Sequence, residues 1–174
     1  MDLAQVVSTK AAYEFHETEW RLGRGFGALA TPKFRVVAYD YGVKHNIERC
    51  LNERGCFVRV FPMNAALADL LAWKPDGIML SNGPGDPGAM PATVEQVKTI
   101  VASGLPVFGI CLGHQLIAES LGMATEKMHH GHRGINHPIK DLTTGRDEVT
   151  SQNHGFVVKR SDAEASAAVE ITHV

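Results

Sequence analysis

The sequence has few of the features that mark a membrane, secreted or nucleic-acid-binding protein. No apolar run approaches the roughly 18 residues that a membrane span needs, and residues 1–10 lack the basic-then-apolar pattern of a secretory signal. Positive charge is not in excess, since 17 Lys and Arg stand against 19 Asp and Glu, so no basic surface for nucleic acid is expected. We therefore expect a soluble, cytoplasmic chain with neither nucleic acid nor membrane among its partners.

Cysteine is also scarce. The three cysteines, Cys50, Cys56 and Cys111, are odd in number and unevenly spaced, which predicts neither a disulfide framework nor a four-ligand zinc site. Cys50 falls on the apolar face of a probable helix and Cys56 opens a strand-like run, so both are interpreted as small buried hydrophobes. The open question is whether Cys111 is a nucleophile.

The residues that are present suit one globular α/β domain, because 44% of the 174 residues are hydrophobic, enough for a sizeable core. Residues 1–33 show no sustained period and carry a Gly-rich patch, so they are interpreted as a lead-in or linker. Residues 34–174 are predicted to form the main domain.

Apolar runs and helical segments alternate four times after residue 33. The runs are short and rich in Val, Ile and Phe, as in strands covered on both faces: 34–39, 57–61, 77–80 and 106–110. The helical segments between them mostly end at glycine: 44–54, 65–73, 92–103 and 114–121. This order predicts an open, mostly parallel sheet with helices on both faces, a three-layer arrangement of the flavodoxin type.

The regularity weakens after Met123. We expect a His-rich loop, a turn at residues 143–145 and a pair of short strands around Val149 and Phe156. Four histidines crowd into residues 129–137, namely His129, His130, His132 and His137. Their spacing matches no standard zinc pattern and no Asp, Glu or Cys lies among them, so no metal site is predicted.

Cys111 lies where a buried strand passes directly into a helix. Gly109 and Gly113 flank it at two residues on either side, which permits a sharp turn with a strained backbone at the cysteine. The start of a helix offers free N–H groups and a positive dipole, and both favour thiolate. The pattern predicts a nucleophile elbow. The alternative is a buried cysteine in an ordinary strand-to-helix turn.

Two further segments contain candidate site residues. Residues 81–87 follow a strand and combine glycines with two prolines, which lets the backbone come close to a ligand. The loop lacks the Lys-Ser/Thr ending of a phosphate cradle, so nucleotide binding is a weak alternative. In residues 151–156, His154 could be either a structural histidine on a strand or a site residue.

The spacing of Gly109, Cys111, Gly113 and Gln115 resembles the signature of the class I glutamine amidotransferases. The runs at residues 82–87, 109–115 and 152–156, in that order, resemble the glutaminase domain of carbamoyl phosphate synthetase small subunits within this family. The resemblance extends over essentially the whole chain, from Met1 to Val174.

This resemblance implies roles for particular residues. Cys111 would be the catalytic nucleophile toward L-glutamine, and the N–H groups of Gly83 and Leu112 would form the oxyanion hole. The residues that would contact bound glutamine are Gly83, Gly85, Gln115, Asn153, His154, Gly155 and Phe156. His154 would shape the pocket rather than act as the base.

The resemblance also implies a partner, the carbamoyl phosphate synthetase large subunit, which would use the ammonia together with ATP, Mg and bicarbonate. No cofactor is expected in this chain. The family places its catalytic His and Glu in a His-Pro-Glu motif, which does not occur here. We therefore expect a domain cut short before its base, with impaired turnover and an exposed edge or apolar patch. The alternatives are a catalytically silent glutamine-binding or docking domain, or an unrelated cysteine hydrolase of the same fold.

Overall fold

The computed structural model describes residues 3–174. Met1 and Asp2, where both the resemblance and the expected lead-in begin, lie outside the described residues. The chain divides into two compact units, the first ending at Ile117 and the second spanning Ala118–Val174.

The first unit contains seven strands, five of which form one sheet. The strands are β1 Tyr13–Phe15, β2 Glu17–Arg21, β3 Gly25–Ala28, β4 Phe34–Asp40, β5 Cys56–Pro62, β6 Gly77–Leu80 and β7 Val107–Gly109. The sheet order is β1-β5-β4-β6-β7, and β2 pairs with β3 in a separate hairpin. The four strands β4 to β7 are parallel, and β1 is antiparallel at one edge.

The helices that begin in this unit connect those strands. They are α1 Leu3–Val7, α2 His45–Glu53, α3 Leu67–Ala72, α4 Pro91–Val101 and α5 Leu112–Ser120, with a short 3-10 turn at Pro87–Ala89. Gly55, Gly104 and Gly122 follow α2, α4 and α5 with positive φ angles of 85°, 77° and 87°, the conformation that ends a helix at glycine. The four predicted strands and four predicted helices are confirmed.

The sheet is covered on both faces. Val37 and Tyr39 of β4 belong to an apolar cluster that also contains Leu70 of α3 and Ile100 of α4. Ala38, which points to the opposite face, belongs to a second cluster with Ile47 of α2 packed against it. The predicted fold, an open and mostly parallel sheet between two helical layers, is confirmed.

The segment interpreted as a lead-in has local structure that the sequence did not predict. It contributes β1 to the main sheet, and side chains of α2 hold it through polar contacts. The Tyr13 hydroxyl donates to Glu48 Oε1 at 3.1 Å, and Asn52 Nδ2 donates to the carbonyls of Phe15 and Glu17 at 2.8 and 2.9 Å. Because these contacts are polar, hydrophobic periodicity does not reveal them. The domain boundary at residue 33 stays a prediction.

The second unit is built on a long antiparallel hairpin. Its strands are β8 Thr125–Lys140 and β9 Asp147–Val158, followed by α6 Arg160–Ala165. The expected His-rich loop is wrong, because those histidines lie on β8. The expected pair of short strands is also wrong, because Val149 and Phe156 lie on the same strand, β9. The turn is confirmed: the Asp141 carboxylate accepts the backbone N–H of Thr143 at 2.8 Å.

Strand β7 lies at one edge of the five-stranded sheet. Among residues 3–174, β7 pairs only with β6, and Phe108 on it is 61% exposed. This matches the exposed edge expected from the sequence.

The part of the chain that the structure describes contains no helix with both the length and the apolar character of a membrane span.

Glu48 generates a prediction about stability, because it is a fully buried carboxyl group. Burial raises the pKa of Glu48, only partly offset by His45, whose Nδ1 lies 2.6 Å away. A carboxyl group whose pKa is higher in the folded state than in the unfolded state contributes less stability as the pH rises from the unfolded-state pKa toward the folded-state pKa. Glu48→Gln should therefore gain stability over wild type as the pH rises above the ordinary carboxyl value of 4.5, by about 1.4 kcal/mol for each unit of pKa shift.

Chemical denaturation at a series of pH values measures this difference. Glu53→Gln on the same helix is the matched control, because the pKa of Glu53 is lowered by its bond to Arg21 and its contribution is constant over that range. If the free energies of unfolding of Glu48→Gln and wild type change in parallel with pH, the raised pKa of Glu48 is contradicted.

Candidate active site

Cys111 lies in the tight turn between β7, which ends at Gly109, and α5, which begins at Leu112. Its φ angle is 52°, in the left-handed region that residues with a side chain rarely adopt. Among the described residues only Lys74, at 54°, is a second such case outside glycine. Such a conformation costs on the order of 1–3 kcal/mol and persists only where its surroundings impose it. The strained elbow expected from the sequence is confirmed.

The flanking glycines impose this turn through contacts between backbones. A methyl group on Gly109 would lie 2.6 Å from the backbone of Gly113, and one on Gly113 would overlap the carbonyl oxygen of Leu80. Because both residues are glycine, the first turn of α5 can pack directly against the end of β6. The Ile110 N–H donates to Leu80 O at 3.0 Å and holds the two segments together.

The loop at residues 81–87 meets this turn. A methyl group on Gly83 would overlap the carbonyl oxygen of Tyr41 and lie 2.9 Å from Leu112 Cδ2. The Gly83 backbone therefore packs between the end of β4 and the residue that follows Cys111. Gly85 adopts a φ of 118°, which requires glycine. The structure thus brings Gly83 and the nucleophile elbow into contact.

Two polar residues that the sequence interpretation did not single out support the same loop. Asn82 Oδ1 accepts the Lys44 N–H at 3.1 Å, and Asn82 Nδ2 donates to Gly42 O at 3.0 Å. Ser81 is fully buried, and its Oγ accepts the Tyr41 N–H at 2.9 Å. The only feature of the sequence that could have indicated this supporting role is a pair of polar residues directly after a buried strand.

The electrostatics of Cys111 differ from the expectation that its location favours thiolate. Burial raises the pKa of the Cys111 thiol above its ordinary value of 9.0, while a hydrogen bond from the Leu112 backbone and the charge of Lys44 act in the opposite direction. The Leu112 backbone therefore has the expected effect, but desolvation outweighs it. In the free protein the thiol form is favoured.

The remaining candidate residues fall into two groups. Gln115, on α5, is 5% exposed and lies in the first unit with Cys111. Asn153, His154, Gly155 and Phe156 lie together on β9 in the second unit. His154 Nδ1 lies 2.9 Å from Phe156 O, and His154 Nε2 lies 3.0 Å from Gln152 Oε1. Both ring nitrogens of His154 thus lie within 3.0 Å of oxygen atoms of the hairpin, which supports a role in shaping it.

Histidine rings also gather on this hairpin. The ring of His132 stacks on His137 at 4.8 Å and meets the edge of His154 at 5.0 Å between centroids. Across residues 3–174, however, no three His, Cys, Asp or Glu side chains are arranged to hold a metal ion. Ring stacking and the bond from His132 to Gln152 account for the cluster.

Sequence comparison relates this chain to known proteins. The family model described as glutamine amidotransferase class-I matches residues 37–174. Carbamoyl phosphate synthase small chain of Ralstonia nicotianae is 53% identical over 174 residues, all of this chain and 46% of that protein. The small chain of Pasteurella multocida is 49% identical over 172 residues, covering 99% of this chain and 44% of that protein. The chain thus spans less than half the length of these curated relatives.

Solved structures share the fold. A glutamine amidotransferase from Thermotoga maritima has a TM-score of 0.56 at 15% identity, covering 72% of this chain and 62% of that one. A second, from Methylobacillus flagellatus, has a TM-score of 0.52 at 19% identity, covering 75% and 58%. At these identities the likeness establishes the fold alone.

The raised thiol pKa predicts how Cys111 reacts with a simple alkylating agent. Because only the thiolate attacks, the rate with iodoacetamide should still be rising with pH at the ordinary value of 9.0. A variant with Cys50→Ser and Cys56→Ser isolates Cys111, and mass spectrometry gives the rate at each pH. A plateau reached below about pH 8 would show that the helix terminus outweighs burial instead.

Proposed function

Because the chain belongs to the class-I glutamine amidotransferase family, we propose that Cys111 is the nucleophile that opens the side-chain amide of L-glutamine. The observation that carries this proposal is the left-handed backbone of Cys111, with a φ of 52° at the start of α5. Such strain at a strand-to-helix turn presents the thiol at the edge of the sheet where parallel α/β proteins bind their ligands.

The proposed reaction proceeds through a thioester. The Cys111 thiolate attacks the carboxamide carbon, and the oxygen of the tetrahedral intermediate takes the negative charge, held by the N–H groups of Gly83 and Leu112. Collapse of the intermediate breaks the C–N bond, and the nitrogen takes up a proton and leaves as ammonia. Water then hydrolyses the γ-glutamyl thioester to glutamate and frees the thiol. The packing of Gly83 against Leu112 supports this pairing of donors.

The remaining candidate residues are proposed as contacts to glutamine, on the strength of the resemblance. They are Gly83, Gly85, Gln115, Asn153, His154, Gly155 and Phe156. His154 is proposed to shape the binding surface and not to be the base, because both its ring nitrogens face oxygen atoms of the hairpin.

Acid–base assistance is proposed to be weak in this chain. The 174 residues contain no His-Pro-Glu run, and the Cys111 thiol has a raised pKa. General acid–base catalysis typically contributes about 10²–10⁴-fold. We expect a deficit of that order, greatest where the departing nitrogen must be protonated.

The relatives that are carbamoyl phosphate synthase small chains suggest the fate of the ammonia. We propose that it passes to a carbamoyl phosphate synthetase large subunit, which combines it with bicarbonate at the expense of ATP and with Mg. No cofactor is assigned to this chain, and the cytoplasm is its proposed location.

A catalytically silent domain, which binds glutamine or docks to the synthetase without chemistry, is the second candidate. The raised pKa of Cys111 favours it. The third interpretation, an unrelated cysteine hydrolase of the same fold, would act on esters or peptides and ignore glutamine.

Ammonia release distinguishes these functions. The chain, alone and with a large subunit, should release ammonia from glutamine slowly but measurably above the Cys111→Ser variant, because the nucleophile and both proposed oxyanion donors are present. Cys50→Ser is the matched control and should match wild type. Glutamine binding with no ammonia above the Cys111→Ser background would favour the silent domain, and ester hydrolysis without glutamine hydrolysis would favour the unrelated hydrolase.

Covalent capture tests the nucleophile without requiring turnover. A chloroketone analogue of glutamine should form one adduct, at Cys111, and free glutamine should slow its formation by competing for the site. Peptide mapping by mass spectrometry locates the adduct. An unmodified Cys111 together with an adduct at Cys50 would refute the assignment.

A further inference from the structure

Ser81 occupies the point where three parts of the candidate site meet. It follows the last residue of β6 and is fully buried. Its Oγ accepts the Tyr41 N–H at 2.9 Å and donates to the carbonyl oxygen of Asn82 at 2.8 Å, while its own carbonyl accepts the Gly113 N–H at 3.1 Å. One residue thus links the end of β4, the loop of Gly83 and the first turn of α5.

The bond to Asn82 has a geometric consequence for Gly83. The Asn82 carbonyl and the Gly83 N–H belong to one planar peptide unit, and the peptide bonds of the described residues are all trans. In a trans peptide the C=O and N–H bonds point in opposite directions. Fixing the carbonyl oxygen of Asn82 therefore fixes the direction of the Gly83 N–H.

Gly83 does little to fix that direction itself. A residue with a Cβ atom is excluded at this position, because the Cβ would overlap the carbonyl oxygen of Tyr41. Glycine has no Cβ, so Gly83 has no side chain that restricts the φ and ψ angles beside the peptide between Asn82 and Gly83. The orientation of this peptide therefore has to be restrained by a neighbouring group. The Ser81 hydroxyl can do so because it donates to the carbonyl oxygen of Asn82.

We propose that Ser81 is a positioning residue that holds the Gly83 N–H toward the oxygen that becomes negative when Cys111 attacks. This rests on the proposed glutaminase function and assigns Ser81 a role in it. Loss of the hydroxyl should weaken the stabilisation of a tetrahedral adduct more than the binding of intact glutamine, to which Gly83 is one of several proposed contacts, and should leave the thiol unaffected.

A glutamine analogue whose carboxamide is replaced by an aldehyde provides the test with the full chain. The Cys111 sulfur bonds to the aldehyde carbon, the C=O double bond becomes single, and the oxygen takes the thiol proton or keeps a negative charge at the oxyanion hole. Three quantities are measured: the dissociation constant of the aldehyde, that of glutamine in the Cys111→Ser background, and the rate of Cys111 alkylation by iodoacetamide.

Ser81→Ala should weaken aldehyde binding by about 10-fold or more, toward the ~10² typical of losing one oxyanion donor. Glutamine affinity should fall less than aldehyde affinity, because Gly83 is one of several proposed contacts to glutamine. The alkylation rate should change less than about twofold, since alkylation requires no oxyanion. Ser8→Ala is the matched control: Ser8 is also buried, and its Oγ accepts the N–H of Met63, which follows β5, at 3.0 Å. It should leave all three quantities near wild type.

Ser81→Thr retains the hydroxyl and should restore aldehyde affinity relative to Ser81→Ala. If Ser81→Ala does not fold, the comparison of Ser81→Thr with Ser81→Cys decides, because the proposal requires the hydroxyl variant to bind the aldehyde more tightly. Unchanged aldehyde affinity in Ser81→Ala, or an equal loss in all three quantities, would overturn the positioning role. Absence of any aldehyde adduct in wild type would overturn the proposed function as well.

Discussion

The contact between two backbones, at the end of β6 and the first turn of α5, is the constraint on which the candidate site depends. Gly113 has no room for a side chain against Leu80, and the Ile110 N–H bonds to the Leu80 carbonyl at 3.0 Å. With both ends of the turn held in this way, Cys111 is left in a left-handed conformation. The same contact places Leu112 against Gly83, so one steric restriction organises both Cys111 and its neighbours.

Much of this arrangement could be predicted from the sequence because its causes are local. Strands β4 to β7 read as short apolar runs bounded by turn formers, and the order of strands and helices determines a parallel sheet. The spacing of Gly109, Cys111 and Gly113 predicts the elbow, since glycine at those positions has a steric reason that needs no knowledge of distant residues.

The parts that could not be predicted depend on contacts distant in sequence. Strand β1 is only three residues long, and its partners, β5 and the polar side chains of α2, are distant from it in sequence. The hairpin of β8 and β9 is rich in Gly and His, residues that seldom indicate strands. The thiol pKa of Cys111 reflects a balance of burial against a backbone hydrogen bond and the charge of Lys44. Ser81 bonds to Tyr41 and Gly113, which are distant from it in sequence.

The polar attachment of the N-terminal segment to α2 makes one part of the first unit sensitive to ionic strength. Three ion pairs join the two, between Arg49 and Glu17, Arg54 and Glu19, and Arg21 and Glu53, all partly exposed to solvent. At 1 M salt the screening length falls to about 3 Å, which is comparable with the separation of the charges in these pairs, whereas apolar contacts of the sheet are not weakened in this way. Concentrated chloride should therefore loosen β1 to β3 first, and proteolysis would begin there while the elbow stays intact.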